Sequence, residues 1–142
     1  MTELIERMKK HMPPMSKLMG VELVSVEMDR IRARLVAREE MGNGTGILHG
    51  GAYMAFADYL GAIGTVANLP KGMVTTTIES KTNFFAPAAL GSVVHGESTP
   101  LHRGRRTMVW QTRLTNDAGR TLAIVTQTQM VMEPRQEAKP SP

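Results

Sequence analysis

Residues 48–64 read LHGGAYMAFADYLGAIG, and the fold depends on what this stretch becomes. It is small and apolar, with the pair Gly50-Gly51 near its start and a single carboxylate, Asp58, in its middle. The breakers Gly42-Asn43-Gly44-Thr45-Gly46 before it and Asn68-Leu69-Pro70-Lys71-Gly72 after it predict one helix of about five turns. Residues 47–69 are about long enough to span a bilayer. Against a membrane span, Asp58 near the centre would cost about 2.5–3.5 kcal/mol. Gly50, Gly51, Gly61 and Gly64 do little to offset it, so a buried helix of a soluble protein is expected. A helix that is apolar all round must be surrounded. One sheet face covers only part of it, so the sheet must curl around the helix or a second subunit must cover the remainder, and both are expected.

The flanking sequence supplies that sheet. Leu4, Ile5, Met8 and Met12 recur at helical spacing behind Thr2, a plausible N-cap, and Pro13-Pro14 ends this short helix. After Gly20 the pattern becomes period two. Leu23, Ser25 and Glu27 alternate with Val24, Val26 and Met28; beyond a tight turn at Asp29, Ile31, Ala33 and Leu35 alternate with Arg30, Arg32 and Arg34. Downstream of the long helix, MVTTTIESKTNFF, SVVHGEST, TMVWQTRLT and TLAIVTQTQMVM read as further strands. The expected architecture is α+β. It has one long central helix, a curved antiparallel sheet of about five to six strands and a short N-terminal helix. Residues 1–132 form one domain, with 1–19 as N-terminal helix and lead-in, and the polar, proline-bearing tail 133–142 is expected to be disordered.

At 142 residues, 42% hydrophobic and 21% charged, the chain is long enough to bury a core in one domain. It has no cysteine, which removes disulfides, thiolate metal sites and a cysteine nucleophile, and fits a reducing cytoplasm. The start lacks an apolar signal-peptide core. His11, His49, His95 and His102 are scattered without metal-ligand spacing, so no metal is expected. Aromatic content of 4% and the lack of a recognition motif argue against nucleic acid. Trp110, Met108 and Thr112 are assigned to core or interface, and the twelve methionines to gap filling.

The long helix starts without a capping residue of the usual types between Gly46 and Asp58. Its first N–H groups carry the positive end of the helix dipole, unobstructed by side chains at Gly50-Gly51. Either this start receives an anion or a carbonyl oxygen becoming one, or the glycines permit close backbone packing. Asp58 also has two readings: a buried acid bonded to a backbone group or a neighbour, or a catalytic carboxylate. It lies eight residues beyond Gly50, roughly 12 Å along a helix. One reacting carbonyl cannot touch both, so a reaction using both requires two copies of the helix packed antiparallel across a twofold. That means an obligate homodimer with composite sites.

Asn43, His49-Gly50-Gly51 and Asp58 together resemble the hotdog-fold acyl-CoA thioesterases of the phenylacetic-acid-degradation type, in the 4-hydroxybenzoyl-CoA thioesterase superfamily. The likeness runs from about Gly20 to Met132. It includes Phe84-Phe85-Ala86-Pro87, Gly91 and Gly104-Arg105-Arg106. The resemblance implies one long helix wrapped by a curved antiparallel sheet, dimerised through a continuous sheet, with tetramers of such dimers common. It implies that Asp58 is the catalytic nucleophile or general base, and that the partner's Gly50 N–H polarises the thioester carbonyl. Asn43 and His49 would line the thioester site, and Thr76 would supply a hydroxyl that positions water or the carboxylate. Thr75 and Thr77 leave a plain strand reading equally open. No cofactor is implied beyond the coenzyme A of the substrate. The guanidinium groups of Arg103, Arg105 and Arg106, beside Gly104, suit bidentate phosphate binding, with Lys81 a further candidate; the alternative is a solvated turn.

The function expected is hydrolysis of an acyl-CoA thioester. Two other classes compete with it. A dehydratase or hydratase on acyl thioesters would want a histidine and an acid placed for proton transfer at adjacent carbons, and the central helix offers only Asp58. A non-catalytic acyl-CoA sensor would not need Asn43, Gly50 and Asp58 together, and all three are present. The acyl group is not readable from sequence.

Overall fold

A computed structural model describes residues 2–136. The N-terminal segment forms two helices, α1 (Thr2–Lys10) and α2 (Pro14–Leu18), where the sequence reading had one helix and a lead-in. The first helix stops before Pro13-Pro14, and Pro14 also opens the second: at the first position of α2 its fixed φ suits helix entry, and its missing N–H would have had no intrahelical partner. The strands β1 (Glu22–Val26) and β2 (Ile31–Val36) precede the long helix α3 (Gly50–Asn68). The strands β3 (Val74–Phe84), β4 (Val93–Arg103), β5 (Thr107–Thr115) and β6 (Thr121–Met132) follow it. Residues 133–136 carry no regular structure and are exposed, while 137–142, the rest of the expected tail, lie outside the described residues.

All six strands form one antiparallel sheet in the order β1-β2-β4-β5-β6-β3, and α3 packs against every one of them. The sheet therefore curls about the helix, the first of the two solutions the sequence allowed. Ile31, Ala33 and Leu35 point inward while Arg32 and Arg34 face out, as the period-two pattern predicts. In β1 the alternation slips at a bulge between Leu23 and Ser25, so Leu23 and Val26 are both buried.

On α3 the inward face carries Tyr53, Phe56, Leu60 and Ile63, all buried. Each such burial favours folding by about 1.5–3 kcal/mol. Small residues set how closely helix and sheet approach. A Cβ on Gly64 would stand 2.8 Å from the ring of Trp110, and one on Gly61 would collide with the amide of Gln127. The opposite side of α3 is an open stripe through Gly51, Met54, Ala55, Asp58, Ala62 and Val66, none of them fully buried. The question raised by Asp58 has a positional answer: it sits on the boundary between this stripe and the sheet.

Candidate active site

Asp58 is held on one oxygen. Its Oδ1 accepts a hydrogen bond from Thr77 Oγ1 at 2.7 Å and another from Gln127 Nε2 at 3.1 Å. Gln127 Nε2 also donates to the Asp58 backbone carbonyl at 3.2 Å. Behind these, Gln129 Nε2 donates to Thr77 Oγ1 at 2.6 Å, and Thr75 Oγ1 donates to Gln129 Oε1 at 3.0 Å. Gln127 and Gln129 are fully buried. Among the described residues no donor reaches Asp58 Oδ2.

The hydroxyl on the carboxylate is that of Thr77, not Thr76. In the run Thr75-Thr76-Thr77 of β3, side chains alternate between faces. Thr75 and Thr77 share the inward one and Thr76 is exposed. A bulge at Ile78, just past Thr77, breaks the parity along the strand. Gln127 and Gln129 went unread in the sequence although it holds a signal for them. Ala123, Val125, Gln127, Gln129 and Val131 share one parity of β6, and all five are buried. Two amides on an otherwise apolar strand face need partners.

At the start of α3, His49 occupies the cap position and its Nδ1 accepts from Gly51 N at 2.8 Å. The helix is thus capped, by a residue outside the usual set. With Nδ1 committed as acceptor, the neutral ring carries its proton on Nε2 and presents a donor to solvent. Among the described residues no acceptor takes the Gly50 N–H. Asn43 Oδ1 accepts from Thr45 N at 2.8 Å and Thr45 Oγ1 at 2.7 Å, and its Nδ2 has no partner among the described residues.

Two cavities flank this helix start. One, of about 450 Å³, is lined by Asn43 and Gly50 together with Tyr53, Phe84, Phe85 and Pro87. The other, of about 550 Å³, holds His49 and Gly51 with Met15, Met19 and Met41. Asp58 lines neither. Within one protomer the structure brings Asn43 and Gly50 together and leaves Asp58 apart.

The basic segment divides. Arg103 Nη1 donates to Met28 O and Asn68 Oδ1, both at 3.3 Å, tying the end of α3 to the β1–β2 turn. Arg105 and Arg106 are exposed on the β4–β5 turn. Gly104 is required by crowding, because a Cβ there would collide with His102 and lie 2.9 Å from Thr107 O. Lys81 is exposed on β3 opposite Thr126, whereas Val131 N bonds Arg106 O. Five residues of strand, about 16 Å, thus separate Lys81 from the turn.

Tyr59 is buried beside Asp58 in sequence and its hydroxyl has no partner among the described residues. Burial pushes its phenol up to about 12. Burial also raises Tyr53, against the opposing effect of the Ala88 N–H that its oxygen accepts at 2.8 Å. These are the only tyrosines in the chain. Between pH 10 and about 12 the folded state keeps a Tyr59 proton that the unfolded chain has released, so stability falls through that window. A spectrophotometric titration should show Tyr59 un-ionised at pH 10 and Tyr53 less than half ionised while the fold persists, with ordinary ionisation of both in denaturant. Half-ionisation of either tyrosine at pH 10 in the folded protein would contradict this.

No helix among the described residues is long and apolar enough to cross a membrane. Residues 45–123, more than half the chain, match the model of the thioesterase superfamily. The chain is 30% identical over 113 residues to Rv1847 of Mycobacterium tuberculosis, a candidate esterase, covering 78% of this chain and 80% of that one. It is 26% identical over 110 residues to the 1,4-dihydroxy-2-naphthoyl-CoA hydrolase of Listeria monocytogenes, covering 78% and 89%. The structure of the E. coli PaaI protein, from the phenylacetic acid degradation operon, superposes with a TM-score of 0.81 at 19% identity, covering 90% of each chain. At that identity the superposition shows the hotdog fold.

Proposed function

This chain belongs to the thioesterase superfamily, and we propose that it hydrolyses an acyl- or aryl-CoA thioester to free CoA and a carboxylic acid at a site shared between two subunits. That it is a thioester hydrolase follows from the family and its relatives. The assignment of residues and the dimer are the proposal. One observation carries it: Asp58 is anchored through Oδ1 while Oδ2, beside an open stripe of the helix, has no partner among the described residues.

Three features support a twofold. β3 is an edge strand of 11 residues, and an unpaired edge of that length invites another chain. The open stripe of α3 exposes Met54 and Val66. Gly50 packs near Phe84 and Asp58 bonds Thr77, so α3 and β3 run in opposite directions. Met54 is four residues from both Gly50 and Asp58, about 6 Å along the axis from each. A twofold at Met54 pairs the two β3 edges and sets the partner's Gly50 at the level of this Asp58. A tetramer would be two such dimers.

In this site the Gly50 N–H, at the positive end of α3, donates to the thioester oxygen and stabilises charge as it develops. Asn43 lies beside it in the same cavity, and His49 Nε2–H offers a further donor. Asp58 then acts in one of two ways. Its Oδ2 attacks the carbonyl carbon, expels CoA thiolate and leaves an anhydride that water cleaves, or it takes a proton from attacking water. Arg105 and Arg106, free of the tie that engages Arg103, are placed to meet the CoA phosphates. The Tyr53, Phe84 and Phe85 cavity suits an aryl or medium-chain acyl group.

The test is release of free thiol from a panel of aryl- and alkyl-CoA thioesters. Turnover with at least one of them is expected. Tight CoA binding without turnover on any thioester would make this a sensor and overturn the proposal.

A further inference from the structure

Buried polar side chains are exacting where no water can replace a lost partner. Gln129 is such a group, and its hydrogen bonds have a direction. The hydroxyl of Thr77 has one proton. Gln129 Nε2 donates to the Thr77 oxygen at 2.6 Å, so that proton is left for Asp58 Oδ1 at 2.7 Å. The Gln129 amide cannot turn over without cost. Its Oε1 accepts from Thr75 Oγ1 at 3.0 Å, and the flipped amide would set a carbonyl oxygen against Thr77 Oγ1. That oxygen and Asp58 would then compete for one proton. The chain Thr75, Gln129, Thr77, Asp58 therefore donates in one direction throughout.

We propose that Gln129, braced by Thr75, is a positioning residue that directs the Thr77 hydroxyl at Asp58 Oδ1, reserving Oδ2 as the oxygen that reacts. The inference rests on Asp58 being the reacting acid. Gln127 adds a second donor to the same Oδ1, and its close seat under Gly61 keeps it there. A carboxylate loaded on one oxygen cannot rotate to exchange the two, so Oδ2 keeps one bearing toward the thioester carbon. Orientation of this kind is worth large factors in rate. Thr77, its hydroxyl oriented from behind, is a donor to the carboxylate and does not relay protons from water.

A kinetic double-mutant cycle tests this. Gln129→Met should lower kcat by about tenfold with KM changed by less than about twofold, because the group acts on orientation and not on CoA binding. Thr77→Val should lower kcat at least as much. The double variant should be no worse than Thr77→Val alone, since Gln129 acts only through that hydroxyl. Thr77→Ser should retain kcat within about threefold and remain sensitive to Gln129→Met. If Gln129→Met does not fold, Thr75→Val on the half-buried edge strand replaces it, with a smaller loss of kcat that also vanishes in the Thr77→Val background. Losses that multiply, or a Gln129→Met enzyme with native kcat, would overturn the positioning role. Native turnover in Asp58→Asn would instead sink the catalytic assignment beneath it, so the two failures are told apart.

Discussion

Asp58→Asn is expected to hydrolyse the best thioester at least about a hundredfold more slowly than the native chain, the range typical for loss of a general base. The substitution is nearly isosteric, and an amide oxygen in place of Oδ1 still accepts from Thr77 and Gln127. The packing of α3 is therefore kept, and the denaturation midpoint should move little. What disappears is the basic, nucleophilic oxygen at the Oδ2 position, since an amide nitrogen there can neither attack a thioester nor take a proton from water. The fall should appear in kcat with KM close to native, as for an interaction made in the transition state. A variant that keeps its fold and turns over within a factor of about ten would remove Asp58 from the chemistry.

Activity should return when two inactive variants are mixed. Gly50→Pro deletes the N–H at the first position of α3, where proline is well tolerated. His49 already has φ −63° and ψ 138°, within the extended range favoured before proline. The new ring would press on Phe84, whose exposed side chain has room to give. Asp58→Ala deletes the acid. Each variant alone should be inactive. After subunit exchange at equal amounts, half of the dimers are mixed and each holds one site with both groups intact, giving about one quarter of native activity. Exchange verified by differently tagged subunits with no recovery would show that Gly50 and Asp58 of different subunits do not share a site.

Much of this could be read directly from residues 48–64. An apolar stretch bracketed by glycine-rich breakers, with a carboxylate at its centre, reads as a buried helix, and the period-two arginines at 30, 32 and 34 require a sheet with one wet face. Both patterns depend on local spacing and solvent preference, which a linear chain displays. The eight residues from Gly50 to Asp58 likewise translate into a length, and the length argues for two subunits.

The parts that the sequence left open depended on parity and partners. Three consecutive threonines carry no mark of which one faces inward; the bulge at Ile78 and the pairing with β6 select Thr77. Arg103 looks like its neighbours 105 and 106 in sequence, yet the end of α3 lies within its reach and ties it down. His49 became a helix cap because the backbone places its Nδ1 over Gly51. Gln127 and Gln129 lie 69 and 71 positions from Asp58 in the chain. By itself the sequence determined that a carboxylate would sit on a buried helix wrapped by a sheet, because burial and periodicity are local properties. Which oxygen of that carboxylate is held, and by which donors, only the tertiary structure decided, because hydrogen bonds between distant strands form once the sheet has closed around α3.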